Sequence, residues 1–482
     1  VTRSLKERLI TGVIWSLADK LITQFGFLIV TLYLAKLIGP ESFGFIGMLT
    51  IFMLLAESVI NNGFSQALVQ RSHSLTDEDS STIFYVNLMW GGAIYTILYF
   101  LAPLIAKFYN EPALLDIARL LFLIIIINSL TVVVRAKLLI KVDFKSQALA
   151  GAIATILSSS VGIYLATAGY DYWAFVWLLL LRALFQNIGL WCFSRWLPQL
   201  VFSLDSLRSL FNFGSNLMLA GFVATLVNNL YVALIGRYFN ATNVGFFTQA
   251  TSLTNFLSQL ISSTLQGVTY PILTSIKEDR ERLASLYRKL VKVTMFISLP
   301  VLFGFAAVAD SFVSLFLGEA WVSAVPIIKI LCFARAITPV SVINMSVLNA
   351  VGRSDLFLKV DLIKLPMTLG TLLVSINYGL EAVALALLFN VTISFFINAY
   401  FPGKLFGFGS LDQIMAARNY LIAASAMFFI VSFVSFDLLW IDLISSVVLG
   451  VVVYITFVWL LKDDIQKMIF LEISKKIKGR SD

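Results

Sequence analysis

The chain has 482 residues, 59% of them hydrophobic and 13% charged, with mean hydropathy +0.91 and net charge +8. Soluble domains carry roughly 25% charged residues, so a soluble globular fold is excluded, and the positive balance is the kind that flanks membrane spans rather than a mark of nucleic-acid binding. Two cysteines inside apolar runs, Cys192 and Cys332, and a single histidine, His73, argue against a disulfide scaffold, a Cys/His metal centre and a histidine relay, so no metal and no cofactor is expected.

Apolar stretches of about 20 residues, enough to cross a ~30 Å hydrocarbon core as a helix, recur fourteen times. The first, 9–38, follows a basic segment (Arg3, Lys6, Arg8). It is too long for a signal-peptide core and lacks a small-residue cleavage site, so it is expected to stay in place as a span. Spans at 43–69, 81–107, 113–134, 146–168 and 172–194 follow, then a connector at 195–206. Spans at 207–236, 242–270, 287–308, 324–350, 358–377 and 380–401 come next, and the last two are 416–435 and 440–461. The expected fold is an all-α integral membrane protein with an N-lobe (1–194), a cytoplasmic connector (195–206) and a C-lobe (207–401). Residues 402–482 hold two extra helices and a basic tail.

An even number of spans puts both termini on one side. With the N-terminus in the cytoplasm, about 26 of the 35 Lys and Arg fall in cytoplasmic segments, including 135–145, 271–292 and 462–480, while the outer loops carry Lys36, Lys107 and Arg237. This bias is the positive-inside pattern. No extramembrane segment is long enough for a catalytic domain, so the protein is expected not to be an enzyme.

The chain also repeats itself. Residues 34–45, joining the first two spans, and 235–246, joining the seventh and eighth, share an offset of 201, cap-type polar residues (Ser42; Thr242, Asn243) and a Gly-Phe pair opening the next helix. A fainter echo pairs residues 119–122 with 329–332. Two six-helix halves of the same orientation follow, related by an axis along the membrane normal, which is a transporter architecture with its site between the halves.

Charges inside spans normally face a cavity or a partner, because burying one in the bilayer costs at least ~2.5–3.5 kcal/mol. The cations Lys20, Arg119, Arg182, Lys329, Arg335 and Lys364 outnumber the acids Asp19, Glu57 and Asp361. Arg182 and Arg335, deep in their spans, are the first candidates for a cationic central cavity, with Lys20, Arg119 and Lys329 behind them. Asp19, Glu57 and Asp361 are the acids able to carry a coupling proton or sodium ion. The bland alternative for each is local pairing, as Asp361 with Lys364, or snorkelling to the interface. Polar stripes run along 242–270 (Gln249, Ser252, Gln259, Ser263, Gln266) and along 43–69 (Thr50, Glu57, Asn61, Ser65). They suit a wet cleft, although such residues also join helices by hydrogen bonds. Pro300, Pro339 and Pro366 fall within spans and mark kinks.

Several segments resemble the polysaccharide transporters, the Wzx-type flippases, closest to the colanic- and teichuronic-acid exporter branch. They are Thr11-Gly12-Val13-Ile14-Trp15-Ser16, residues 63–71 (Gly-Phe-Ser-Gln-Ala-Leu-Val-Gln-Arg), residues 244–250 (Val-Gly-Phe-Phe-Thr-Gln-Ala), Tyr270-Pro271 and Gly318-Glu319-Ala320-Trp321. The resemblance covers nearly the whole chain. It implies the two-lobed fold of the multidrug/oligosaccharidyl-lipid/polysaccharide exporter superfamily in a bacterial inner membrane. The implied substrate is a polyprenyl-pyrophosphate-linked oligosaccharide moved from the cytoplasmic to the outer leaflet, and a polysaccharide polymerase is a candidate partner. A cationic cavity matches a pyrophosphate independently of the resemblance. A peptidoglycan-precursor flippase, a multidrug or ion antiporter of the same fold, and an integral-membrane glycosyltransferase or polymerase stay as alternatives. No G-x-x-x-x-G-K-[ST] loop is present, so ATP hydrolysis by this chain is not expected.

Overall fold

The computed structural model describes residues 20–61, 68, 75–276, 279–434 and 436–461. Among these the fold is helical, without a strand, and ten helical stretches are long and apolar enough to cross a membrane. The chain divides into two units, 1–248 and 249–482.

The first unit holds α1 (Gly26–Asn61), α2 (Asp77–Tyr109), α3 (Leu114–Leu121), α4 (Leu123–Ser129), α5 (Val132–Ile140), α6 (Phe144–Thr167), α7 (Asp171–Ser194), α8 (Leu204–Tyr238) and the first residues of α9 (Ala241–Ser275). The expected turn between the first two spans is a break inside α1. Gly39 takes φ 73°, ψ 176°, a conformation that suits a residue without Cβ, and Pro40 lacks the N–H that would continue the ladder. The equivalent break between α8 and α9 is built differently: Phe239 is extended, and Asn240 Oδ1 accepts the Asn243 N–H at 2.9 Å.

These two turns touch. A Cβ on Gly44 would overlap the carbonyl oxygen of Ala241, and one on Gly245 would overlap that of Pro40. A Cβ on Gly47 would lie 2.6 Å from Thr248 Oγ1. Gly44 and Gly245 are therefore where each helix meets the backbone of the opposing turn too closely for any side chain, whereas Gly47 packs on a side chain of α9.

Several boundaries differ from the sequence reading. Helix α9 runs to Ser275 and the next helix begins at Arg280, so most of the segment 271–292 expected as a loop is helical. The helix from Leu380 runs to Phe406 rather than 401, and the one after it begins at Ser410 rather than 416. Two further differences have a visible cause. Helix α2 starts at Asp77 rather than 81, because Thr76 and Asp79 form a capping box: Thr76 Oγ1 accepts the Asp79 N–H, and Asp79 Oδ2 accepts the Thr76 N–H, both at 3.0 Å. The stretch expected to end at 134 stays helical to Ile140 as the segments α3–α5, because Val132, Val133, Val134 and Leu138 are buried. The connector, in turn, docks on the start of α2. Gln199 N–H donates to Ser81 Oγ (2.9 Å) and Ser203 N–H to Thr82 Oγ1 (3.0 Å), while Lys137 bonds Asp77 at 2.6 Å and lies over the Trp196 ring.

The second unit holds the rest of α9, then α10 (Arg280–Ala307), α11 (Ala309–Phe316), α12 (Val325–Ala350), α13 (Ser354–Ser375), α14 (Leu380–Phe406), α15 (Ser410–Ser432) and α16 (Leu439–Leu460). A proline inside a helix frees the carbonyl four residues earlier, and in a membrane that carbonyl needs another donor. Pro339 frees the Arg335 carbonyl, which accepts from Ser258 Oγ at 3.2 Å; the neighbouring Ala336 carbonyl accepts from Ser298 Oγ at 2.6 Å. Pro300 frees the Phe296 carbonyl, which accepts from the Tyr454 hydroxyl at 2.9 Å. The carbonyls freed by two of the prolines noted in the sequence are thus taken up by hydroxyls from other helices.

A ring of buried side chains ties α10, α12 and α15. Tyr287 donates to Asn344 Oδ1 (2.8 Å), Asn344 Nδ2 to Gln413 Oε1 (3.2 Å), and Gln413 Nε2 to the Tyr287 oxygen (2.8 Å). With Tyr454 reaching α10, this ring makes α15 and α16 integral parts of the second unit.

Candidate functional site

The first unit contains a cavity of about 290 Å³ among α1, α4, α5 and α7. Its polar lining is Glu57 from α1, Asn128 and Thr131 at the α4–α5 break, Arg135 from α5, and Arg182 and Gln186 from α7; Met53, Ile124, Leu179 and Ala183 complete the wall. The spacing explains the gathering. Arg182 and Gln186 are four apart, as are Met53 and Glu57, and Asn128 and Thr131 are three apart, so each helix turns one stripe inward.

The break is part of the site. Ser129 Oγ donates to the Ile126 carbonyl (2.7 Å) and Thr131 Oγ1 to the Asn128 carbonyl (2.8 Å). Such back-bonding competes with the helical ladder and bends it. Asn187 Nδ2, on α7, holds the same region by donating to the Ile127 carbonyl at 2.6 Å. Within the cavity, Asn128 Nδ2 donates to Glu57 Oε1 at 2.7 Å, and Arg135 attracts the same carboxylate electrostatically. The Arg182 guanidinium lies 3.8 Å above the Phe27 ring, which fixes its plane by a cation–π contact.

Two guanidiniums against one carboxylate leave the cavity cationic. Guanidinium forks match phosphate oxygens, and the amides and the hydroxyl supply donors and acceptors for sugar hydroxyls. The volume is near the lower end of ligand pockets, roughly 300–1,000 Å³. It suits a phosphate-bearing group or a single sugar rather than a whole oligosaccharide.

Of the residues singled out in the sequence, Arg182 and Glu57 line this cavity. Arg335 is half-buried on α12, one turn before Pro339. Lys329 is salt-bridged to Asp310 at 2.6 Å, with both side chains partly exposed. Arg119 stacks over Tyr99 at 4.5 Å. On α9, Gln249 is buried, Gln259 is exposed, and Gln266 is exposed with its amide 3.4 Å from Ser346 Oγ. Asp19 and the side chains of Lys20, Asn61 and Asp361 lie outside the described residues. Asn128, Arg135 and Gln186 were not anticipated.

Residues 33–326 match the model of a family described as polysaccharide biosynthesis protein. The chain belongs to the polysaccharide biosynthesis protein family. The sequence resemblance to polysaccharide transporters therefore stands, and one motif that carried it is visibly structural: Gly318 has φ 89° and Trp321 is fully buried. This family member is 28% identical over 308 residues to the teichuronic acid biosynthesis protein TuaB of Bacillus subtilis (strain 168), a match spanning 63% of each chain and thus less than two thirds of TuaB. It is 27% identical to the succinoglycan biosynthesis transport protein ExoT of Rhizobium meliloti (strain 1021), over 76% of this chain and 73% of that one. It is 26% identical to the lipopolysaccharide biosynthesis protein WzxC of Escherichia coli (strain K12), over 75% and 74%.

Among solved structures, the fold matches the lipid II flippase MurJ in an inward closed conformation with TM-score 0.76 and 14% identity, over 94% of this chain and 99% of that one. It matches an inward-facing multidrug resistance MATE family transporter of the MOP superfamily with TM-score 0.63 and 15% identity, over 86% and 99%. The family member thus shares the fold of these two proteins.

Proposed function

We propose that this family member is a flippase that carries a polyprenyl-pyrophosphate-linked oligosaccharide from the cytoplasmic to the outer leaflet of a bacterial inner membrane by alternating access, for surface polysaccharide assembly. The observation that carries the reading is the cavity in which Arg135 and Arg182 stand with Asn128 and Gln186, inside helices long enough to span a bilayer. A pyrophosphate brings multiple negative charges into a region where unpaired charge is costly, and two guanidiniums neutralise it with forked donors. The names of the relatives, which concern teichuronic acid, succinoglycan transport and lipopolysaccharide, support a sugar-polymer cargo.

The proposed topology has fourteen spans with both termini cytoplasmic and halves at 1–194 and 207–401 joined by 195–206. In this topology the break at Gly39 separates the first two spans, and the reciprocal contacts of Gly44 with Ala241 and of Gly245 with Pro40, at the 201-residue offset, support the internal repeat. Glu57 is the proposed carrier of a coupling proton or sodium ion, held by Asn128 and balanced by Arg135. Arg335, Arg119, Lys329 and Lys20 are proposed as secondary contributors to substrate charge, with Lys329 already matched by Asp310.

Deleting the gene in its host tests this reading. Loss of the protein should trap the complete lipid-linked repeat unit on the cytoplasmic leaflet and abolish the surface polymer, and the wild-type gene should restore it. Normal polymer in the deletion strain, or accumulation of an incomplete repeat unit as a glycosyltransferase defect would cause, contradicts it.

A further inference from the structure

A second charged cavity lies in the other unit and has no part in the reading above. Its volume is about 720 Å³, and it opens between the polar ends of α10 and α15. One wall is cationic: the adjacent Arg288 and Lys289, with Lys292 about one turn further along α10. Arg288 is held by donating to the Phe406 carbonyl at 3.4 Å and by lying 5.7 Å from the Phe408 ring centroid. The acids at the site are Glu281 and Asp412, and the Asp412 carboxylate is already engaged as acceptor of the Gly409 N–H at 2.9 Å. The other wall carries Met415 and Ala416 of α15.

Along α15 the apolar side chains Leu411, Met415, Ile422 and Phe429 are 71%, 61%, 51% and 58% exposed, and their spacing of four, seven and seven places them on one face. Exposed apolar side chains on a helix apolar enough to span a bilayer face acyl chains. The cavity therefore sits where that acyl-facing stripe meets a cluster of three cations, at the level where lipid headgroups begin. Basic pockets between spans at this level bind anionic headgroups.

We propose that the pocket formed by Arg288, Lys289 and Lys292 beside Met415 binds the headgroup of an anionic glycerophospholipid, whose acyl chains lie along Leu411, Met415, Ile422 and Phe429. The phosphodiester contacts the cations, and the acyl chains add an apolar contact along the stripe that a free anion cannot make. The site is structural or regulatory and does not depend on the cargo.

The test uses the purified full-length protein in neutral detergent. Retention of phosphatidylglycerol is read by native mass spectrometry and thermal stabilisation by unfolding, with phosphatidylcholine and inorganic phosphate as separate arms. Wild-type protein should retain and be stabilised by phosphatidylglycerol, and by neither of the others. The Lys289→Gln/Lys292→Gln variant should bind it at least about tenfold more weakly, since each interfacial cation adds attraction to an anionic lipid. A Lys107→Gln/Lys141→Gln variant, with the same loss of charge elsewhere, should bind normally. Equal binding by all three proteins, equal loss in both variants, or stabilisation by inorganic phosphate as large as by the lipid overturns the proposal.

Discussion

Asn128 donates a 2.7 Å hydrogen bond to Glu57 Oε1 across 71 residues of sequence, at the point where the α4–α5 helix breaks. The pair places one carboxylate in a cavity that Arg135 and Arg182 also line; in the proposed function the guanidiniums take the anionic group and the carboxylate takes the coupling cation. Glu57→Gln keeps the shape and an acceptor for Asn128 but removes the charge. The expected outcome is protein at normal levels whose transport in vesicles no longer responds to an imposed proton or sodium gradient. An undiminished response would remove Glu57 from the coupling role.

The opposed turns give a packing prediction. Gly44→Ala and Gly245→Ala each drive a methyl into a carbonyl oxygen of the other turn, and overpacking of this kind costs roughly 1–3 kcal/mol. Gly92→Ala, with nothing within 4 Å of its added Cβ, is the matched control. Thermal unfolding in detergent should show both turn variants destabilised and the control at or above wild type.

Tyr454 and Pro300 should be coupled. Removing the hydroxyl by Tyr454→Phe strands the Phe296 carbonyl that Pro300 has freed, at a cost of roughly 1–3 kcal/mol for an unsatisfied buried acceptor. In a Pro300→Ala background the helix regains its own donor, and the same Tyr454→Phe change should cost much less. A double-mutant cycle reads the difference; additive effects would mean the hydroxyl does not serve the kink.

Glu111 lies in the loop after α2, outside the spanning segments. Burial first and the nearby Glu41 carboxylate second hold its carboxyl above the ordinary value of 4.5, against the opposing hydrogen bond from the Ala241 N–H. A carboxylate raised on folding favours the folded protein below its unfolded pKa, and that contribution is lost as pH rises through the folded value. Glu111→Gln should therefore be slightly more stable than wild type at neutral pH, with the gap closing as pH falls through the carboxylate range. Unfolding temperatures measured from neutral pH down through the carboxylate range check the sign, and a gap that widens toward low pH would contradict it.

Much of the fold follows from apolar length alone, because a bilayer admits few structures other than helices that satisfy their own backbone. The Gly39-Pro40 break was readable for a local reason: Pro40 lacks the N–H that continues the ladder, and its ring pushes the preceding residue out of the helical region. Arg182 could be picked out because a charge deep in a long apolar run needs an explanation. Arg135 could not. Its neighbours Lys137, Lys141 and Lys145 make the segment look like a basic loop, and only the burial of Val132–Val134 and Leu138 shows that the helix continues past it. Asn128 and Gln186 are single amides whose meaning comes from α1, α4 and α7 being brought together. The partners of the kinked carbonyls, Ser258, Ser298 and Tyr454, are likewise set by packing between distant helices and leave no local trace.

The most direct test reconstitutes the purified protein in liposomes with a polyprenyl-pyrophosphate oligosaccharide and measures how fast the sugar becomes accessible to a membrane-impermeant glycosidase on the opposite side. Wild-type protein should move the headgroup across. Arg182→Ala and Arg135→Ala should each slow it about tenfold or more, the ~1.5–3 kcal/mol of a lost charge-assisted hydrogen bond, with unchanged incorporation into the membrane. Arg182→Lys should retain part of the rate by keeping the charge without the fork. Headgroup movement at the wild-type rate in both alanine variants would contradict the assignment of this cavity to the pyrophosphate.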